Sequence, residues 1–518
     1  ITHEAFQAAA DPQKFPEHFK RGLRPWRTMK LYHSGMRGES EARPGSGQDS
    51  GWSVRVPSGS YDPVLGRSYR EIGAEGYSKH RSQGSGATSS LPGRSYDYFK
   101  LVNSTIGVKP QEDSFFDSVD TSLQAIVELA GNERSAVSFL QADLSQAQKS
   151  AEEALRLFQP AHPERSAGEA AKGTAILAES IRKIRSASLS QPAKEVLEDA
   201  LQEKLRDFHN AVSATLGLYL IARVDDPTAV PGEKKSVTAY FYNRGPRPIE
   251  ISRASLRMPA VWTGDLPSGE QPGSVAAGDS AVLSFAVQIA ANAKPTEPFW
   301  YRESSRDSRY KTRAAKNPLA AFDEPELEVQ VTYRSLGAEC LVAAPVRAQA
   351  GGPIRGADFV EFQVVPSLSV TLRPETAVIP VAPSAQSREF QVSVVSNEKS
   401  AASGTVRLIV PAGWQAEPAE TEFSTKQKGE SATARFMVRI PAGAKAGTST
   451  VEAVAVMRGR EFRRGYRVIS YLENWTRHLY SNARSEIRTF DLKIAPGLTA
   501  GYVPGAGDEV PAALEQLG

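Results

Sequence analysis

Residues 256–289 and 408–440 repeat each other, and no other feature of this 518-residue chain constrains its fold as strongly. Leu256-Arg257-Met258-Pro259-Ala260-Val261-Trp262 aligns with Leu408-Ile409-Val410-Pro411-Ala412-Gly413-Trp414. Gly278-Asp279-Ser280, continuing to Ile289, aligns without gaps with Gly429-Glu430-Ser431, continuing to Ile440. The second block alternates apolar and polar side chains: Leu283, Phe285, Val287 and Ile289 in one copy, Phe436, Val438 and Ile440 in the other. A period of two sends one strand face into a core and the other into water. The same period runs through Val237, Ala239 and Phe241 before the Asn243-Arg244-Gly245 turn, and through Phe390, Val392 and Val394 before Ser396-Asn397. Short alternating strands with Gly, Pro and Asn turns predict two antiparallel β-sandwiches, over 223–365 and 366–490. Trp262 and Trp414 read as core plugs, the alternative being sugar-stacking platforms.

At 100 to 200 residues per domain the length asks for roughly three to four units. The 62 basic and 59 acidic residues leave a formal charge of +3, which gives no field for nucleic acid. The single cysteine, Cys340, lies in an apolar run and reads as a buried, inert thiol, so neither a disulfide framework nor a cysteine metal site is available. No apolar run approaches the ~20 residues of a membrane helix. The chain opens at Ile1-Thr2-His3-Glu4 without a methionine, and both termini read as cut.

Residues 106–222 read as a helical segment of three or four helices. Val119, Leu123, Ile126 and Ala130 recur at helical spacing, as do Leu197, Leu201, Leu205, Phe208 and Val212. Ser190 before Pro192 is a helix start, and Pro163, Gly168 and Gly173 punctuate the segment. His162 and His209 read as solvated or capping residues.

Residues 1–105 read as mixed structure: a helix ending near Ala10-Asp11-Pro12, a strand-like run from Trp26 to Tyr32, a Gly- and Ser-rich loop, and a helix from Ser68. The runs Ile1 to Pro12, Phe15-Pro16-Glu17, Leu23-Arg24-Pro25-Trp26, Lys30-Leu31-Tyr32, Asp62 to Tyr69 and His80-Arg81-Ser82-Gln83 resemble the closing part of the catalytic domain of LmbE-like, or PIG-L, N-deacetylases. That resemblance implies an α/β domain and a divalent metal, usually zinc, which polarises an acetamido carbonyl and activates water while a carboxylate takes the proton. The family's His-Pro-Asp-Asp motif and its second histidine motif are not in this sequence, so the resemblance puts the metal ligands upstream of Ile1 and no zinc in this piece. His3 matches no ligand position, and His18 and His33 read as surface residues. His80 is the candidate catalytic residue, the alternative being a structural role at the end of its helix.

The repeat itself resembles the immunoglobulin-like NPCBM-associated domain of bacterial carbohydrate-active enzymes, through the Pro-Ala-x-Trp turn and the Gly-[Asp/Glu]-Ser strand opening. An insertion from Lys294 to Glu324 carries Phe299, Trp300 and Tyr301, either a surface for a sugar or partner domain or a loop capping its own sandwich. From Leu498 the chain reads as a first strand, a Gly-rich turn and a first helix of a further, truncated α/β domain over 491–518.

The fold class expected is thus multidomain α+β. The function expected is a piece of an exported N-deacetylase acting on N-acetylglucosamine-type sugars or glycoconjugates, periplasmic or extracellular and associated with the cell envelope. A non-catalytic surface or glycan-binding protein is the alternative, and an amidase of the same superfamily the second.

Overall fold

The computed structural model describes the chain apart from residues 21–22, 24, 35–50, 266–272, 303–306, 314–321, 353–355, 472–474, 494–496, 506, 509 and 518. The Gly- and Ser-rich loop and much of the 294–324 insertion lie outside the described residues. The chain divides into two units, Ile1–Ser135 and Ala136–Gly518.

In the first unit, helix α1 (Thr2–Ala8) precedes an antiparallel sheet in which β3 (Asp97–Ser104) lies between β1 (Lys30–Ser34) and β2 (Val54–Val56). Helix α2 (Tyr69–Ser78) starts where expected: Ser68 and Glu71 form a reciprocal capping box, the Glu71 amide donating to Ser68 Oγ and the Ser68 amide to Glu71 Oε2. Behind the sheet Glu112 is buried, taking Lys30 Nζ at 2.6 Å and the Tyr32 hydroxyl at 2.5 Å. A buried carboxylate needs both partners. They tie residues beyond 105 to the N-terminal sheet, so the first unit extends past that boundary.

The stripe Leu123, Ile126, Ala130 lies in a 3₁₀ run, Leu123–Val137, kinked at Gly131, rather than in an α-helix. The spacing of three between Leu123 and Ile126 fits a three-residue turn as well as a 3.6-residue one.

The second unit opens with α3 (Ser138–Leu157), α4 (Ala167–Ser186) and α5 (Gln191–Thr215). Ser190 caps α5 through the Ala193 amide, and Leu197, Leu201, Phe208 and Val212 are buried as the stripe predicts. Gly168 and Gly173 lie inside α4 instead of ending it. A Cβ on Gly173 would stand 2.0 Å from the Phe208 ring, so glycine is the residue that lets α4 and α5 approach.

Helix α5 runs straight into β4 (Leu218–Arg223), so the first sandwich starts at Leu218, before the expected 223. Its other main strands are β5 (Lys234–Asn243), β6 (Ile249–Arg257), β7 (Thr263–Asp265), β8 (Ser280–Gln288), β9 (Glu328–Ser335), β10 (Ala338–Gly352) and β11 (Gly356–Glu361). One sheet path runs β7-β8-β5-β4-β10-β9-β6. Long β10 pairs antiparallel with β9 and later parallel with β4, joining the two faces along one edge. The second sandwich has separate sheets. β12 (Leu368–Arg373), β14 (Gln386–Ser396), β18 (Ser431–Ile440) and β16 (Gln415–Glu417) form one. The other contains β13 (Thr376–Pro380), β22 (Arg484–Phe490), β19 (Gly447–Met457), β15 (Ala402–Ile409) and β17 (Glu420–Thr425), while β20 (Arg464–Tyr471) and β21 (Trp475–Asn482) make a separate ribbon.

The alternating residues face inward in both copies: Phe241, Phe285, Phe390 and Phe436 are buried, each side chain stabilising its core by about 2–3 kcal/mol. Gly278 and Gly429 both adopt left-handed backbone (φ +78° and +81°) at the turns before β8 and β18, which is why glycine opens the second repeated block. Trp262 is buried and Trp414 half-buried against the core, their amides donating to Pro259 and Pro411 at 2.9 and 3.0 Å.

The strand expected after Leu498 is not formed among the described residues of 491–509. The Asp508 carboxylate instead accepts from the Tyr502 hydroxyl and the Gly505 amide, closing a turn before α6 (Val510–Leu517).

Gly173→Ala should destabilise the protein by about 1–3 kcal/mol through overpacking, despite alanine's better helix propensity. Combined with Phe208→Leu in urea unfolding, the loss should be less than the sum of the two single substitutions.

Candidate functional site

His80 is exposed and precedes a short 3₁₀ turn, Arg81–Gln83. Its Nδ1 lies 3.3 Å from Gln83 Oε1 and its ring stacks on Tyr77 with centroids 5.7 Å apart. Both contacts lie within one turn of the end of α2. His3, His18 and His33 are exposed, and His162 Nδ1 lies 3.4 Å from Glu164. Among the described residues no group of three or more His, Cys, Asp or Glu side chains could hold a metal ion, so these residues do not fit a zinc site.

Helix α5 flanks a cleft of about 520 Å³ lined by His209, Arg253, Met258, Gln330, Thr332 and Cys340. His209 is half-buried rather than solvated, and burial lowers its pKa to about 4. Burial also pushes the Cys340 thiol up to about 11. Near neutral pH both groups are uncharged, which is the opposite of an activated thiolate and imidazolium.

A cluster of polar contacts joins the two sandwiches along a seam. Lys428, in the turn before β18, reaches Asp226 and Thr228 of the first sandwich, with Thr228 Oγ1 at 2.6 Å. Lys235 stands on the other side of Asp226 at 3.2 Å and shares Glu233 with Lys399. Burial alone would raise the Asp226 carboxyl, but the bonds from Lys428 and the Thr228 amide, with the charges of Lys428 and Lys235, bring it down to about 2. Glu297, from the insertion, receives both guanidinium nitrogens of Arg464 at 2.7 and 2.9 Å. The half-buried Trp300 and Tyr301 lie in a short hairpin with Lys311–Thr312, Trp300 packing edge-on against Tyr310 and Tyr301 under Arg313.

At the centre of the seam His478 is buried, its Nδ1 2.8 Å from Gln363 Oε1. Gln363 Nε2 donates to the Thr476 carbonyl, which leaves Oε1 to accept and assigns the imidazole proton to Nδ1. Tyr466 packs edge-on at 4.5 Å, and its hydroxyl donates to Asn397 Oδ1. Burial, then the charges of Arg477 and Lys428, lower the His478 pKa to about 4.

None of these seam residues stood out in the sequence. The one local signal was His478 and Tyr480, two apart on one strand face; their partners come from far along the chain.

Residues 229–301 and 385–458, which fall in the two sandwiches, match the family model of the NPCBM-associated, NEW3 domain of alpha-galactosidase. No curated protein matches the chain. Among solved structures, a protein of unknown function from Porphyromonas gingivalis W83 is 11% identical, covering 52% of this chain and 99% of its own, with a TM-score of 0.18. The secreted serine protease VesC from Vibrio cholerae is 8% identical over 48% of this chain and 52% of its own, with a TM-score of 0.17. The apo-form Calx CBD1 domain is 11% identical over 24% and 98%, with a TM-score of 0.15, and scores this low support no further comparison. The middle of the chain therefore carries two NPCBM-associated-type segments in a multidomain, mostly β framework.

Proposed function

We propose that the sandwich pair is a rigid docking arm of an exported, metal-dependent sugar N-deacetylase, with residues 1–105 as the closing part of its catalytic domain. The observation that carries the docking role is the polar seam: Asp226–Lys428, Glu297–Arg464 and Gln363–His478 cross it at three places. Charged and hydrogen-bonded groups satisfied only in one relative placement oppose hinge motion. The carbohydrate setting is supported by the match of both sandwiches to the NPCBM-associated domain. The deacetylase reading is supported by the resemblance of the runs at 1–32, 62–69 and 80–83. On that reading the zinc-holding motifs stand outside these 518 residues, and the present side chains position and dock. A non-catalytic glycan-binding protein is the alternative, and an amidase acting on another amide the second.

Acetate release from N-acetylglucosamine conjugates by the full gene product should be abolished by a chelator and restored by zinc. A folded, zinc-loaded protein that releases none sinks the deacetylase reading. His80→Ala should lower turnover with metal content unchanged; unaltered turnover would assign His80 to the end of its helix.

The seam makes its own predictions. Lys428→Met removes one of the two cations beside Asp226 together with the donor to Thr228 Oγ1, and should cost about 1–3 kcal/mol in urea unfolding at neutral pH. Asp226 has a folded pKa below its unfolded value of about 3.9, so its contribution is present above that pH and is lost as pH falls toward 2. His478 is also depressed, from about 6.5 unfolded, so its neutral form costs nothing above that value and stability falls as pH drops from there toward 4. His209 titrates in the same window. The midpoint of thermal unfolding should therefore fall between pH 7 and 4.5, and less steeply in His478→Gln, which removes only the seam's share.

A further inference from the structure

The outward face of β4, β5 and β8 in the first sandwich departs from the polar surface usual for an antiparallel sheet. Register puts Tyr219 opposite Tyr242, and Ile221 opposite Tyr240, which in turn faces Val282. The intervening Leu220, Phe241 and Leu283 are buried, so these five point outward. Tyr219 is 50% and Val282 60% exposed. The Tyr240 and Tyr242 rings lie 17° from parallel with centroids 6.4 Å apart. Arg244, in the turn after β5, sits 5.0 Å from the Tyr219 centroid and 5.9 Å from that of Tyr242. Arg223, on the outward face of β4, lies 4.8 Å from the ring of Phe359.

The second sandwich serves as an internal control. There the same register places Ser369, Val395, Thr371, Ser393 and Thr433 at the positions of Tyr219, Tyr242, Ile221, Tyr240 and Val282. Serine and threonine stand at four of them, Ser369 beneath a ribbon of its own chain, so the two sheets close there without rings. Charge adds a second constraint: among the described residues neither Arg223 nor Arg244 is paired with a carboxylate, both being held by aromatic rings and Arg223 also by Gln349. A guanidinium beside aromatic rings keeps N–H groups for a planar anion.

We propose that this face binds an acidic oligosaccharide, with pyranose rings stacked on Tyr219, Tyr240 and Tyr242 and sugar carboxylates taken by Arg244 and Arg223. Tyrosine suits this occupant because its ring offers an apolar face and its hydroxyl a polar rim, matching the two sides of a sugar. A wholly apolar partner would leave the two cations uncompensated. The assignment rests on the docking role of the sandwiches and not on deacetylation.

Calorimetric titration of the 518-residue chain with oligogalacturonate, beside a neutral galacto-oligosaccharide of equal length, tests it. The acidic chain should bind, with affinity falling as salt rises, and the neutral chain should bind at least about tenfold more weakly. Tyr240→Ser and Tyr219→Ser, which copy the second sandwich, and Arg244→Gln should each weaken binding about tenfold with the unfolding midpoint held. Equal binding of the neutral sugar, or binding indifferent to these substitutions, overturns the proposal. No binding of either sugar by the folded chain overturns it in favour of a protein partner. A chain that binds oligogalacturonate while the full gene product releases no acetate keeps this assignment and loses only the deacetylase reading.

Discussion

The second unit depends on a cross-strand contact that both sandwiches build from the same alternation. Phe390 pairs directly with Phe436 across β14 and β18, and both are fully buried. In the first copy Phe285 of β8 faces Val237 of β5, and Phe241 meets Tyr333 from the opposing face of the folded-over sheet at 6.4 Å. A one-residue slip in any of these ladders would turn the entire apolar row to solvent, so burial fixes register and register fixes what the outward face displays. The helices share in the same core: Ser213 of α5 lies 2.9 Å from the buried Tyr333 hydroxyl and gives it a hydrogen-bond partner.

Because the cores are self-sufficient, the relation between the two sandwiches falls to polar groups, and that choice has consequences. An apolar interface between them would tolerate sliding. A bidentate Arg464–Glu297 pair and an imidazole whose tautomer is set by Gln363 hold only at defined distances and angles. The cost is sensitivity to proton concentration, since an imidazolium at His478 would stand in a buried site beside Arg477 and Lys428. Charge at the seam is nearly balanced otherwise: Lys428 and Lys235 flank Asp226, and Lys235 and Lys399 flank Glu233.

What could be read from the sequence was whatever burial or backbone sterics repeats locally. Period-two alternation located the strands around Phe285 and Phe436, and Ser68 and Ser190 marked the helix starts because a cap needs only its next few residues. Three features escaped for physical reasons. The 3₁₀ run at Leu123 shares its spacing of three with an α-helix. The stretch Leu218-Tyr219-Leu220-Ile221-Ala222 has no polar outward residue until Arg223, so alternation did not announce β4. Gly501, Pro504 and Gly505 make a turn closed by Asp508, where a strand followed by a helix was expected. The pairing across the seam lay beyond sequence reasoning, since Gln363 and His478 are brought together only when both cores have formed.

The two copies of one fold separate what the sandwich requires from what it carries. Inward positions keep bulk in both: Leu220 and Val370, Phe241 and Val394, Phe285 and Phe436. Outward positions diverge: three of the five are tyrosine in the first copy, and four of the five are serine or threonine in the second. In the second copy part of that face is spoken for by its own chain, the Tyr466 amide of β20 donating to Ser369 Oγ at 3.1 Å. A hydroxyl is what a strand crossing close above the sheet can use, whereas a tyrosine there would hold the ribbon off. The corresponding Tyr219 remains half exposed, so the first copy gives up an internal contact and retains a surface suited to a ligand of mixed apolar and polar character.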